Sequence, residues 1–207
     1  MKRMGRIAAG IAAVVLGGAL FSPEAEATFI MDVNQVGPDV VVTGSGTLDV
    51  SGLTLLFTQT LIPEIKAQFP VAIAGTSASA HVYVHTITGP NNFGSGNGFG
   101  PDTASGDLVG IGGGGVQLAV PANYVSGGAL SDSMTFDLAT YTDLGITPGT
   151  YTWTWGTGTA HADSFVLDIH EPTVTTDVPE PSTLALLAAG LLGLGFFSRG
   201  RARRAAF

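Results

Sequence analysis

The chain has 207 residues, a formal charge of −8 and no cysteine, which excludes disulfides, thiolate nucleophiles and thiolate metal sites. Of its eight Lys and Arg, three precede Ile7, four follow Phe197, and only Lys66 lies between, so residues 28–181 hold fourteen Asp and Glu against one base. A body charged in this way repels nucleic-acid phosphates and anionic lipid, which excludes nucleic acid as a partner, and its solvated carboxylates keep it soluble.

The first element in chain order is an address. Lys2, Arg3 and Arg6 precede an apolar run over residues 7–21, and Ala25-Glu26-Ala27 follows as a small-residue cleavage site. This pattern predicts a signal peptide over residues 1–27, with Ala25 and Ala27 directing the cut.

Residues 28–176 read as one acidic domain long enough to bury a core. Gly, Thr, Ser, Val and Ala dominate it, which disfavours helix and favours short strands joined by glycine turns. Val40-Val41-Val42-Thr43 and Thr47-Leu48-Asp49-Val50 read as two strands about a Gly44-Ser45-Gly46 turn. Residues 53–61 form a third candidate strand. Pro63 and Glu64 suit the start of a helical turn over residues 63–69, which Pro70 ends. Residues 81–87 alternate as a strand. Residues 91–115 are rich in Gly, Ser and Asn and read as a long loop, with room for a short strand at Leu108-Val109-Gly110-Ile111. Residues 116–120 form a strand stopped by Pro121, and residues 133–138 another. The clearest strand is residues 150–155, with Tyr151, Trp153 and Trp155 on one face. Paired with residues 163–170 across a Gly-rich turn, it makes a terminal hairpin. Many short strands at this spacing predict an all-β fold, a single β-sandwich of the jelly-roll or Ig-like kind.

No cluster in the body spells out a reaction. On a strand, His81 and His85 stand about 13 Å apart, too far to chelate one ion. His161-Ala162-Asp163 with His170 echoes a two-His-one-carboxylate set, but His170 and Asp163 have opposite parity on a regular strand. Asp102, Ser105 and Asp107 offer oxygens for Ca²⁺ but lack the strict Asp-x-Asp-x-Asp-Gly loop. Gly75-Thr76-Ser77-Ala78-Ser79 lacks the last glycine of a nucleophile elbow, and Gly94-Ser95-Gly96-Asn97-Gly98 lacks phosphate-loop spacing. Tyr151, Trp153 and Trp155 suit a core better than a sugar-stacking platform. The residues therefore predict a non-enzymatic protein with no catalytic residue, no metal and no cofactor. Its alternative is a carbohydrate- or calcium-dependent, adhesin-like binding module using the loop over residues 91–115.

The C-terminal stretch is the second address. Val178-Pro179-Glu180-Pro181 leads, almost without spacer, into an apolar run over residues 183–197 and then Arg199, Arg201, Arg203 and Arg204. Fifteen apolar residues reach roughly 22 Å as a helix, short of the ~30 Å hydrocarbon core, yet able to span if the bilayer thins. By the positive-inside rule both basic ends lie on the cytoplasmic side, leaving the body outside. Polar box, apolar helix and arginine cluster, residues 177–207, resemble the PEP-CTERM sorting signal of bacterial exported proteins. Phe93-Gly94-Ser95-Gly96, Ser105-Gly106-Asp107 and the stretch over residues 144–156 also resemble segments recurring in one group of these proteins. The resemblance implies exosortase as processing enzyme and membrane attachment through the C-terminal helix before processing. It also implies a destination in the cell envelope or outside a Gram-negative-type bacterium, with exopolysaccharide and biofilm matrix as surroundings.

Overall fold

The computed structural model describes residues 28–172; the predicted signal peptide and sorting segment lie outside them. Twelve strands and one short helix make an all-β body. One sheet holds β11 (Gly149–Trp155), β12 (Asp163–Ile169), β1 (Thr28–Val36), β2 (Asp39–Thr47), β10 (Ala129–Phe136) and β7 (Thr103–Gly106), in that order. The other holds β3 (Thr54–Leu61), β6 (Ala78–Val84), β9 (Gln117–Pro121), β8 (Val109–Gly112), β5 (Val71–Ala74) and β4 (Glu64–Lys66). All the strand pairs are antiparallel except β1 with β12, which run parallel.

Period-two alternation decides which side chains turn inward. Phe29, Met31 and Val33 of β1, Val40 and Val42 of β2, and Phe165, Leu167 and Ile169 of β12 are all buried. They join Ala72, Ala74, Val109, Ile111, Leu118 and Val120 of the second sheet in one contiguous core. Trp153 and Trp155 lie wholly within it, and each indole N–H reaches a carbonyl, Pro90 O at 3.1 Å and Asp49 O at 2.9 Å. Phe165 stacks on Phe29 with ring centroids 5.6 Å apart and meets Trp153 at 6.1 Å. The aromatic strand is therefore core, as its pattern predicts, and these buried rings are not free to stack on a sugar.

Three local expectations are corrected. Gly44-Ser45-Gly46 is not a turn: β2 runs straight through it, paired on both sides with β1 and β10. Glycine is needed there for close approach, because a Cβ on Gly44 would come within 2.6 Å of the Phe29 ring. The helical turn expected over residues 63–69 is instead β4 followed by a turn. Ile65, almost fully buried, exchanges backbone hydrogen bonds with Phe99 and pairs with Ala72, so tertiary pairing overrides the local preference. The region over residues 91–115 is no free loop. Besides β8, which meets the short strand expected at residues 108–111, it contains β7, and Phe93 inside the core donates its N–H to Ala67 O. The one helix among the described residues, α1 (Tyr141–Leu144), is held by a capping box between Thr140 and Asp143 and closed by left-handed Gly145.

Asp132 is the anomaly of the core side of β10. It is 7 % exposed, and neither carboxyl oxygen meets a hydrogen-bond partner. Burial, with the charge of Asp107 added, pushes its carboxyl up to about 7. The unfolded chain releases this proton near 3.8, so stability present below that value is lost as pH rises through about 7. Asp132→Asn should therefore match the parent protein at about pH 4 and gain about 2–4 kcal/mol at about pH 8, read from urea unfolding midpoints. Equal effects at both pH values would contradict the buried-carboxyl account.

Candidate functional site

The residues expected to carry sorting and cleavage lie outside the described residues. These are Ala25 and Ala27 at one end, and Val178, Pro179, Glu180, Pro181, Arg199, Arg201, Arg203 and Arg204 at the other. Among the described residues no helix is long and apolar enough to cross a membrane. Within the body, two histidine–carboxylate clusters concentrate the polar side chains.

The first cluster fastens the segment after β2 to the turn before β12. Asp49 Oδ2 lies 2.9 Å from His161 Nδ1, while its Oδ1 accepts from Ser126 Oγ at 2.7 Å and from Ser51 N at 2.8 Å. Asp163 is buried, and its carboxylate accepts from Asp49 N and Ser164 N. Tyr124 OH completes the junction, donating toward Leu48 O at 2.8 Å and accepting from Leu48 N at 2.9 Å. Burial opposes the charge of Asp49, but hydrogen bonds from His161, Ser51 and Ser126 outweigh it and hold the carboxyl well below the usual carboxylate range. The arrangement has an Asp–His pair but no activated serine. Ser51 and Ser126 bind each other, and Ser126 binds Asp49, so neither is bonded to the imidazole.

The second cluster lies on the outward face of the first sheet. The parallel register sets Asp32 opposite Asp168. His170 Nε2 lies 3.0 Å from Asp32 Oδ1 and 3.9 Å from Asp168 Oδ2. Thr150 Oγ1 donates to Asp168 Oδ1 at 3.0 Å, and His170 N donates to Val33 O at 3.0 Å, which fixes the histidine against β1. On a regular strand His170 has the wrong parity to join His161 and Asp163, and the structure keeps it apart: His161 and Asp163 both engage Asp49, while His170 is tied to Asp32 and Asp168. Asp32 and Asp49 were missed because their partners lie more than a hundred residues away, across a strand pairing that local pattern does not reveal.

The remaining candidates do not converge. His81 lies in β6 beside Tyr83, with ring centroids 6.1 Å apart, and His85 follows the end of that strand. Asp102 and Asp107 flank β7 and bind different backbone N–H groups, those of Asp137 and Ser131, at opposite ends of the strand. Ser105 pairs with Ser133 at 2.9 Å. A calcium loop built from Asp102, Ser105 and Asp107 has no common centre in this geometry.

Because the Asp49 carboxyl is held low in the fold, it contributes stability above the ordinary carboxylate range that is lost as pH falls. Asp49→Asn should lower the unfolding midpoint at neutral pH and flatten its decline under acid. Unfolding curves between about pH 2 and 7 would show an unchanged acid limb if Asp49 had no such role.

No curated protein matches the chain, and no solved structure does. The match that exists lies outside the β-rich body. Residues 177–204 match the family model of the PEP-CTERM protein-sorting motif, so the chain carries the sorting signal of an exported protein destined for exosortase-dependent processing and the cell envelope.

Proposed function

We propose that this protein is a non-enzymatic structural or interaction component of the cell envelope or extracellular matrix, delivered by its C-terminal motif and cut there by exosortase. The observation that carries the reading is the sorting motif over residues 177–204 behind an all-β acidic body. The body's polar side chains support it: the imidazoles of His161 and His170 are engaged by carboxylates, and neither is bonded to a hydroxyl nucleophile. In this reading residues 28–176 form one β-sandwich of the jelly-roll or Ig-like kind, residues 1–27 are removed on export, and the apolar helix holds the precursor in the membrane of a Gram-negative-type bacterium.

The test is processing. Replacing Pro179-Glu180-Pro181 by three alanines should leave an unprocessed, membrane-bound precursor. Intact mass of the parent protein from native envelope and medium fractions should run from about Thr28 to the PEP box. Normal release of the alanine variant, or a mature mass that retains residues 184–207, would overturn the sorting reading.

A carbohydrate- or calcium-dependent binding module is the second reading, favoured by a groove of about 200 Å³ on the outward face of the second sheet. Gln59 and Gln117 offer amides there beside Leu61, Val71, Ile73 and Val82, the mixture of polar and apolar surface that a sugar ring takes. In the structural reading, exopolysaccharide purified from the native envelope shows no saturable binding to this groove. Saturable binding weakened about ten-fold or more by Gln117→Ala would reverse the order of the two readings.

A further inference from the structure

Asp32, Asp168 and His170 lie outside the sorting motif, and their placement follows from the strand pairing. In register on adjacent parallel strands, Asp32 and Asp168 bring two carboxylates together. Like charges directly opposite each other on a sheet destabilise it. The body offers little to offset them. Lys66 is the sole Lys or Arg among the described residues, and it is engaged by Glu64 at 2.8 Å. What stands over the two carboxylates is an imidazole, two residues beyond Asp168 and held by its backbone bond to Val33.

One atom from each of Asp32, Asp168 and His170 lies within 4.8 Å of the others. A tetrahedral ion bound at ordinary zinc–oxygen and zinc–nitrogen lengths needs donors about 3.3 Å apart. The two separations from His170, 3.0 Å and 3.9 Å, bracket that value, and the two carboxylates, within 4.8 Å of each other, would close to it by side-chain rotation. We propose that these three residues form a binding site for a divalent transition-metal ion of the zinc class. One imidazole nitrogen and two carboxylate oxygens are the ligand set such borderline ions take, whereas Ca²⁺ asks for six to eight oxygens.

The supporting structure suits the role. Asp32 and Asp168 stand on strands inside the sheet, and the Thr150 hydroxyl orients Asp168 from β11, the second layer of contact that fixes a ligating carboxylate. The three side chains are partly open to solvent, so an ion enters without the fold opening and keeps water on its outer positions. The bound ion would displace the His170–Asp32 hydrogen bond, offset the paired carboxylates and join the first strand to the last.

The experiment uses the full chain and Zn²⁺ alone. Equilibrium dialysis and thermal unfolding should show saturable Zn²⁺ binding with a rise in Tm that EDTA reverses. His170→Gln and Asp168→Asn should each weaken binding by at least about ten-fold. His161→Gln, which alters the other histidine cluster, should bind Zn²⁺ as the parent does. Circular dichroism and the zinc-free Tm identify any variant that fails to fold, and Asp32→Asn then provides an independent third ligand change. Absence of saturable binding to the parent chain, or parental affinity in folded His170→Gln, would overturn the proposal.

Discussion

The parallel pairing of β1 with β12 is the constraint on which the rest of the body depends. It joins the first described strand to the last over six residues in register, from Thr28 with Ser164 to Val33 with Ile169. No disulfide is possible, so closure rests on backbone hydrogen bonds and on the side chains the pair buries. Phe29, Met31 and Val33 meet Phe165, Leu167 and Ile169 in the centre of the core. The same register lines up Asp32 with Asp168 on the opposite face. One pairing thus supplies both the apolar closure and the outward carboxylate pair, because alternate residues of a strand point to opposite faces.

Two carboxylates show how position reverses the same chemistry. Asp49 sits where backbone and side-chain donors converge, and its negative charge is favoured despite partial burial. Asp132 sits between Gly44 and Gly106 in the strand register; the Gly44 N–H is close enough to favour its charge slightly but makes no well-formed bond, and burial with Asp107 nearby outweighs it, so its proton is favoured instead. Raising the pH from about 4 to 7 therefore acts against the fold at Asp132, and acid acts against it at Asp49. Their opposed tendencies favour a stability maximum between the two extremes.

Much of this was legible in the sequence where alternation is strong. Trp153 and Trp155, with the Phe165–Leu167–Ile169 stripe, gave the terminal hairpin and the inward face together, and the all-β class followed from composition and spacing. The sorting motif was legible because its three parts are contiguous. What stayed hidden is non-local. Thr28 to Val36 drew no strand prediction, although it is central to its sheet, and nothing nearby marks its parallel partner. Gly44 and Gly46 looked like turn residues because glycine has two uses, bending a chain and admitting a neighbour, and only the neighbour tells them apart. Ile65 lies in a strand because Phe99 and Ala72 are there to meet it, not because Pro63-Glu64 asks for one. The Asp32–Asp168–His170 cluster required the same missing pairing.

Parallel closure also gives the body a direction. The chain enters β1 at Thr28 and leaves β12 at Ile169, and in parallel strands these points lie at opposite ends of the pair. Six paired residues separate them by roughly 20 Å. A precursor tethered through both flanks would have to lie along the bilayer, or else run one flank back along the sheet. In the proposed reading, cutting the first tether would leave the body to pivot on the remaining one, with the Thr28 end of the strand pair free to point away from the membrane. Removal of the leading segment would then do more than complete export: it would set which end of the molecule reaches outward.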